Sequence, residues 1–335
     1  MSGEKVSKTQ GSWEEESGCE AACQLAFGLR TSEPVHRSKD RGQFNERHCL
    51  TQTEHPSPLF LPRSGVESQV HLPSFKMLGV RVHAVQMPDV VERLRLWIDA
   101  RQAITRFVAV TGMHGIAESR QDGYLRLILN SADLVVPDGM PLVWVGRTKG
   151  YPLKHRVCGS ELMESFCKVT GSAYRHFFFG GAAGVAERLA QILHEEHGIV
   201  IAGTYTPPFR PLTDVEETEL ATLVEDKAPD VFWVGLSTPK QERWMYEHRH
   251  KLRVPVMLGV GAAFDMNSGN LRRAPEWMRD KGLEWLFRLV SEPRRLWKRY
   301  LVTIPRAACS VCIELLQFSN LRSEPGQSKA STRAQ

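Results

Sequence analysis

The chain has 335 residues, of which 42% are hydrophobic and 24% are charged. This length and balance predict one sizeable globular core with additional tails. The formal net charge of +5 does not favour nucleic acid as a partner, because nucleic-acid-binding proteins usually concentrate a strongly basic face.

Cysteine usage and hydropathy indicate where the protein works. The seven cysteines do not follow the spacing of a disulfide framework, which favours a reducing, cytoplasmic setting. Cys309 and Cys312 form a C-x-x-C pair without a second half, so we interpret them as two thiols of a helix. We expect no secretory signal, and no apolar run reaches the roughly 18 residues of a membrane span. Any membrane contact is therefore expected to be peripheral.

Composition and hydrophobic periodicity divide the chain into four parts. Residues 1–75 mix charged and polar side chains without a sustained period, which predicts a disordered or loosely attached extension. Residues 76–270 alternate strand-like and helix-like segments and form the predicted core. Residues 271–318 are predicted to form a basic, amphipathic helical appendage, and residues 319–335 a disordered tail.

The elements of the core alternate regularly. Strands are predicted at 107–111, 134–137, 176–179, 199–204, 231–235 and 256–261, with helices at 89–101, 120–131, 159–170, 184–197, 214–227 and 240–251. This alternation predicts an α/β fold with a Rossmann-like, mostly parallel sheet and flanking helices. In such sheets ligands bind beyond the carboxyl ends of the strands.

Two of these strand ends carry candidate catalytic groups. Asp138 can accept a proton from a substrate hydroxyl, and Gly139 allows close backbone approach, although an Asp-Gly pair also fits an ordinary turn. Thr111 ends another strand and can orient an acceptor or a base. His114, in the predicted loop after it, is a candidate acid, base or phosphate partner, or a hydrogen-bonding structural residue.

Two other strands lead into helices through small-residue turns, where backbone amides and a helix N-terminus can meet a diphosphate. The spacing is not the strict dinucleotide fingerprint. The second turn also fits an ordinary helix start, with Pro239 in the first turn and an acid that favours the helix dipole. The candidate substrate-binding residues of the two turns are Gly180, Gly181, Gly235, Lys240, Gln241 and Glu242.

No Asp-x-Asp motif occurs in the sequence, and the histidine pairs have no third ligand at metal spacing. We therefore expect neither a metal nor another cofactor. Residues 271–307 carry a net charge of +6 and can supply cations for a diphosphate instead. Tryptophan, tyrosine and leucine alternate with these cations, a pattern that suits a helix on an anionic bilayer as well as ordinary docking onto the core.

A series of motifs follows in a fixed order along the core and the appendage. They are Ala132–Gly139, Phe179–Gly181, Val234–Glu242, Gly259–Asp265, Arg273–Trp277, Gly282–Arg288 and Glu292–Arg295. Over about residues 76–303 the series resembles the WecG/TagA/CpsF family of glycosyltransferases. One departure is Thr111-Gly112-Met113, where members commonly have Thr-Pro-Asn, and it bears on the identity of the sugars.

The resemblance implies a UDP-sugar donor and an undecaprenyl-diphosphate-linked amino sugar as acceptor. It also implies a cytoplasmic protein that is peripherally attached to the inner membrane. By motif position, Asp138 corresponds to the general base and Thr111 to the threonine beside it. The residues implied in substrate binding from the appendage are Arg273, Arg288, Arg295, Lys298 and Arg299. Of these, Arg288 and Arg295 correspond to residues that bind the donor diphosphate, and either Lys298 or Arg299 completes that set.

We therefore expect an inverting hexosyltransferase of bacterial surface or exopolysaccharide synthesis, and a homo-oligomer is compatible with the sequence. A nicotinamide-dependent enzyme would need a strict glycine fingerprint and an acid on the ribose, and neither is evident. A non-catalytic nucleotide-sugar-binding or membrane scaffold of the same fold is the other alternative. Asp138 and the appendage argue against it.

Overall fold

The computed structural model describes residues 72–102 and 104–323, without the side chains of 280, 295, 299 and 317–323. Most of the predicted extension 1–75 and the end of the predicted tail, 324–335, lie outside the described residues. The described chain opens with an antiparallel hairpin, β1 (Ser74–Met77) and β2 (Val80–His83). His83 Nδ1 accepts a hydrogen bond of 3.0 Å from the Val135 amide, which ties this hairpin to the main sheet.

Six strands form the main sheet. They are β3 (Arg106–Thr111), β4 (Leu134–Pro137), β5 (Arg175–Gly180), β6 (Val200–Tyr205), β7 (Val231–Gly235) and β8 (Val256–Gly259). Their order is β4-β3-β8-β7-β5-β6, and every neighbouring pair is parallel. The predicted Rossmann-like α/β fold is thus confirmed, and all carboxyl ends of the strands meet at one edge.

Helices cover both faces of the sheet. Their bounds are α1 (Met87–Asp99), α2 (Met113–Ser119), α3 (Gly123–Ser131), α4 (Met140–Thr148), α5 (Gly159–Thr170), α6 (Val185–His197), α7 (Asp214–Lys227), α8 (Lys240–His248) and α9 (Ala263–Asn267). Successive strand residues point to opposite faces. Phe177 and Phe179 accordingly join the core layer under α2, α3, α4, α7 and α8, whereas Phe178 joins the layer under α1, α5, α6 and α9.

The appendage is helical, as predicted. It consists of α10 (Glu276–Asp280), α11 (Glu284–Ser291), α12 (Pro293–Lys298), a π-helical turn (Arg299–Thr303) and α13 (Ile304–Ser323), so helix continues beyond the predicted boundary at residue 318. Ala307 and Val311 are buried in the core layer. Glu314 accepts hydrogen bonds of 2.7 Å from the Leu78 amide and from Lys149 Nζ. The last helix is therefore part of the packed fold, and no helix in the described residues is long and apolar enough to cross a membrane.

His176 on β5 provides a test of this core. The side chain is fully buried, and its Nδ1 accepts a hydrogen bond of 3.0 Å from Trp233 Nε1. Burial lowers the pKa of His176 to about 4. The unfolded chain, with an imidazole pKa of about 6.5, therefore binds a proton that the folded state does not bind as the pH falls. We predict that stability decreases from pH 6.5 to pH 4, with a contribution from His176 of about 3 kcal/mol.

Urea unfolding at a series of pH values measures this effect. In His176→Gln the amide oxygen can still accept the indole hydrogen bond but does not titrate. The free energy of unfolding of this variant should depend less steeply on pH in that window than that of the wild type. Equal slopes for the two proteins would contradict the prediction.

Candidate active site

Thr111 and Asp138 lie together at the carboxyl edge of the sheet. Thr111 ends β3, Asp138 directly follows β4, and the Asp138 amide donates a hydrogen bond of 3.0 Å to the Thr111 carbonyl oxygen. Gly139 follows with a φ of +115°, which favours glycine and turns the chain into α4. The Asp138 side chain remains one-third exposed. The two residues predicted to be catalytic are therefore neighbours, and the carboxylate can be reached from solution.

Two glycines of the segment after β3 allow its close approach to these groups. A Cβ on Gly112 would lie 2.6 Å from the Asp138 carbonyl oxygen, and a Cβ on Gly115 would lie 2.3 Å from Thr111 Oγ1. Met113 is buried in the core layer. The departure at Gly112-Met113 thus has a packing explanation. Gly112 lets the backbone after β3 approach the backbone of Asp138, and Met113 fills the core.

Arg156 is a site residue that sequence reasoning missed. Its side chain is 13% exposed, and its guanidinium nitrogens lie 2.5 Å from Glu284 Oε2, 3.7 Å from Glu161 Oε1 and 3.8 Å from Asp138 Oδ1. It belongs to an irregular loop between α4 and α5, so no hydrophobic period marks it. Only the tertiary fold shows that this cation lies beside the carboxylate of Asp138.

The loop that carries Arg156 is held by specific hydrogen bonds. Gln86 Oε1 accepts from the Lys154 amide at 3.1 Å and from the His155 amide at 3.0 Å. The Val157 amide donates to the Pro137 carbonyl oxygen at 3.0 Å, one residue before Asp138. These contacts on both sides of Arg156 fix the backbone from which its side chain extends.

Neighbouring groups determine the protonation states of Arg156 and Cys158. Burial alone would lower the pKa of Arg156, but Cys158, Asp138, Glu284 and Glu161 together raise it above its usual value. The neighbouring Cys158 thiol is fully buried, and burial followed by the charge of Asp138 raises its pKa to about 12. Arg156 therefore stays charged and Cys158 stays a neutral thiol at physiological pH. The positive charge of Arg156 is shared among the carboxylates of Asp138, Glu161 and Glu284.

Glu161, in the first turn of α5, links Arg156 to the start of the appendage. Its Oε1 lies 3.4 Å from Arg273 Nη2 and 2.9 Å from Arg279 Nη1. Arg273 also pairs with Glu164 at 3.1 Å. The predicted substrate-binding residue Arg273 thus lies in an ion-pair network with α5, one carboxylate away from Arg156.

The appendage reaches the site through α11. Glu284 contacts Arg156, and Arg288 lies four residues later, on the same face of the helix. Arg288 itself lies 3.8 Å from Glu292. Lys298 Nζ lies 5.6 Å from the ring centre of Trp297, and the side chains of Arg295 and Arg299 are outside the described residues. Of the predicted appendage cations, Arg273 contacts Glu161 directly, and Arg288 lies one helical turn after Glu284, the partner of Arg156.

The glycine turns after β5 and β7 pack tightly against each other. Gly180 has a φ of +125°, and a Cβ on it would lie 2.7 Å from the Gly235 carbonyl oxygen. The Gly181 amide donates a hydrogen bond of 3.2 Å to that same oxygen. This amide, predicted to meet a diphosphate, is already paired within the protein. Gly235 ends β7, three strands or about 14 Å from β4, and Gly180 ends β5, four strands or about 19 Å from β4.

The start of α8 is also more buried than its sequence suggests. Lys240 is exposed, but Gln241 and Glu242 are fully buried, so neither presents its side chain at the surface of a binding site. His114 lies in α2 instead of the predicted loop, and its Nε2 is 3.3 Å from Glu118 Oε2 one turn later. The described residues contain no group of three or more side chains placed to hold a metal ion.

Comparison with known proteins identifies the family of this chain. The model of the family described as "Glycosyl transferase WecG/TagA/CpsF family" matches residues 75–321. This match identifies the chain as a glycosyltransferase. It belongs to the WecG/TagA/CpsF family.

Two similar proteins have the name N-acetylglucosaminyldiphosphoundecaprenol N-acetyl-beta-D-mannosaminyltransferase. The protein of Bacillus spizizenii is 34% identical over 196 residues, which cover 58% of this chain and 74% of that protein. The protein of Staphylococcus aureus strain MRSA252 is 28% identical over 236 residues, or 70% of this chain and 89% of that protein. These relatives act on a sugar linked to a polyprenyl diphosphate.

Gly235 allows a test of the packing at this edge. A Cβ on Gly235 would lie 2.6 Å from ring atoms of Phe264, which is fully buried. We predict that Gly235→Ala destabilises the fold by about 1–3 kcal/mol, because the ring must move in a packed core. Urea unfolding measures the loss. Gly123→Ala is the matched control, since nothing lies within 4 Å of a Cβ there, and equal stability of the two variants would contradict the prediction.

Proposed function

We propose that this protein is an inverting hexosyltransferase that moves a sugar from a UDP-sugar to a hydroxyl group of a polyprenyl-diphosphate-linked sugar. It would serve bacterial surface or exopolysaccharide synthesis at the cytoplasmic face of the inner membrane. The observation that carries the proposal is the reachable carboxylate of Asp138 at a strand end, beside the buried cation Arg156. The names of the relatives support the lipid-linked acceptor.

The proposed reaction is a single displacement. Asp138 takes the proton of the acceptor hydroxyl while that oxygen attacks the anomeric carbon of the donor from the face opposite UDP. The new glycosidic bond forms as the bond between the anomeric carbon and the β-phosphate oxygen breaks, and UDP leaves with the electron pair. The configuration at the anomeric carbon is therefore inverted.

The leaving diphosphate needs positive charge to stabilise it, and arginine side chains of the site can provide this charge. Arg156 is buried and charged beside Asp138, and Arg288 lies on the face of α11 that also carries Glu284. Guanidinium groups bind phosphate oxygens with two parallel hydrogen bonds, and this attraction strengthens as negative charge develops. We therefore propose catalysis without a metal ion.

The appendage supports peripheral membrane contact. Trp277, Trp285 and Trp297 are each about half exposed, and Lys281 and Lys298 lie over two of these rings. Amphipathic aromatic rings beside cations suit the interface of an anionic bilayer. A lipid-linked acceptor has its sugar at such an interface, so the surface and the substrate would meet there.

A screen of UDP-sugars with a polyprenyl-diphosphate-GlcNAc analogue tests the function. We expect release of UDP with at least one donor only when the acceptor is present, and the same rate in the presence of EDTA. Product analysis should show the anomeric configuration opposite to that of the donor. Loss of activity in EDTA would overturn metal independence, and acceptor-independent release would overturn the transfer reaction.

Asp138→Asn tests the general base. The amide keeps the shape of the side chain but cannot take a proton, so we expect turnover to fall by about 100-fold or more. Binding of UDP, measured by calorimetry, should stay within a few-fold of the wild type. Asp226→Asn changes an exposed acid of α7, the helix that follows β6 at the sheet edge opposite β4, and is a matched control that should retain activity. Near-normal turnover of Asp138→Asn would remove Asp138 from this role.

A further inference from the structure

Glu242, in the first turn of α8, has an unusual environment for a carboxyl group. The residue is 0% exposed. Its Oε1 accepts hydrogen bonds from Thr238 Oγ1 at 2.8 Å and from Gln241 Nε2 at 3.2 Å. Its Oε2 is buried and has no hydrogen-bond partner in the described part of the chain. One oxygen thus behaves as the carbonyl of an acid, and the other has the position of its hydroxyl.

The charges around Glu242 do not favour an ionised carboxylate. Within the described residues no arginine, lysine or histidine forms an ion pair with it, and Arg243 of the same helix contacts Asp122. From α2, the charge of Glu118 acts on Glu242, and Glu118 Oε2 lies 3.3 Å from His114 Nε2. A buried carboxylate without a cation is far costlier than the neutral acid, and a second acid nearby increases the difference.

We propose that Glu242 is a neutral carboxylic acid in the working enzyme and a positioning residue that holds Thr238 and Gln241 behind the catalytic edge. This inference rests on the proposed glycosyl transfer for its kinetic test but not for its spectroscopic test. Burial, and to a lesser degree the charge of Glu118, raise the pKa of Glu242 above its usual value. That direction agrees with the geometry.

The groups that Glu242 holds border Thr111, which is predicted to be catalytic. A Cβ on Gly115 would lie 3.1 Å from Thr238 Cγ2 and 2.3 Å from Thr111 Oγ1, so Thr238 packs directly behind this part of the site. Gln241 lies against the end of β8, where its amide would be 3.1 Å from a Cβ on Gly259. A displaced Glu242 would release both side chains and loosen the support of Thr111.

A neutral acid also fits the chemistry next to it. The proposed reaction places a diphosphate, whose negative charge grows in the transition state, at the same edge of the sheet. An additional buried carboxylate would repel that charge with little screening by solvent. Glu242 in its neutral form supplies hydrogen-bond acceptance without this repulsion.

Infrared difference spectroscopy of the full chain tests the protonation state. We expect the carbonyl band of a protonated carboxylic acid at neutral pH in the wild type, and loss of that band in Glu242→Gln. Glu247→Gln changes a surface glutamate of the same helix and should keep the band. Absence of the band from the wild type at neutral pH would overturn the proposal even if the enzyme has another activity.

Kinetics test the positioning role. Glu242→Gln keeps a neutral group that can accept both hydrogen bonds, and we expect it to retain at least about one-third of the wild-type kcat/KM. The kcat/KM of Glu242→Ala should fall about tenfold or more. Circular dichroism and UDP affinity show whether this variant keeps its fold. The wild type should lose activity at alkaline pH with a step that Glu242→Gln lacks. Equal losses in the two variants would show that a carboxylate is required and overturn the proposal.

Discussion

The architecture of the site depends on one buried guanidinium. Arg156 lies within 4 Å of Asp138, Glu161 and Glu284, which come from the end of β4, the start of α5 and the appendage. A buried cation is stable only when its charge is compensated, and removing one partner of such a group is strongly destabilising. The position of the catalytic strand end is thereby coupled to the docking of α11. Since Glu284 is also the closest of the three partners, the appendage is part of the electrostatic environment of Asp138.

The anchoring of the appendage at a second point reinforces this coupling. Glu314 of α13 binds the β1-β2 turn and Lys149, and two small residues of the same helix are buried in the core layer. The appendage is thus held at both ends, by ion pairs near the site and by packing and hydrogen bonds away from it. Its exposed tryptophans lie between these two anchors. A membrane surface that binds these tryptophans would therefore bind the segment whose Glu284 contacts Arg156.

The sheet was predictable because its strands are short apolar runs followed by small or polar residues. Leu134–Pro137 and Val231–Gly235 have the predicted bounds, and the ends of β3 and β4 supplied Thr111 and Asp138. Helix α4 was missed because Asp138-Gly139 has the sequence of a turn, although Pro141 in its first turn is a helix-start signal. Arg156 could not be found, because its role follows from long-range packing of an irregular loop. The polar residues Gln241 and Glu242 were noticed as candidates, but their burial is a property of the tertiary fold.

Burial then separates the roles of two acids at the same edge of the sheet. Asp138 is one-third exposed beside a cation, so its side chain can be reached by a hydroxyl group. Glu242 is enclosed with hydrogen-bond donors on one oxygen and no cation, which favours the uncharged form. Side chains of nearly the same intrinsic acidity are thereby directed to different tasks by their surroundings. In the proposed reaction the base must be ionised and open to substrate, whereas a buried carboxyl group near the diphosphate is better neutral, and Asp138 and Glu242 have environments that suit these two roles.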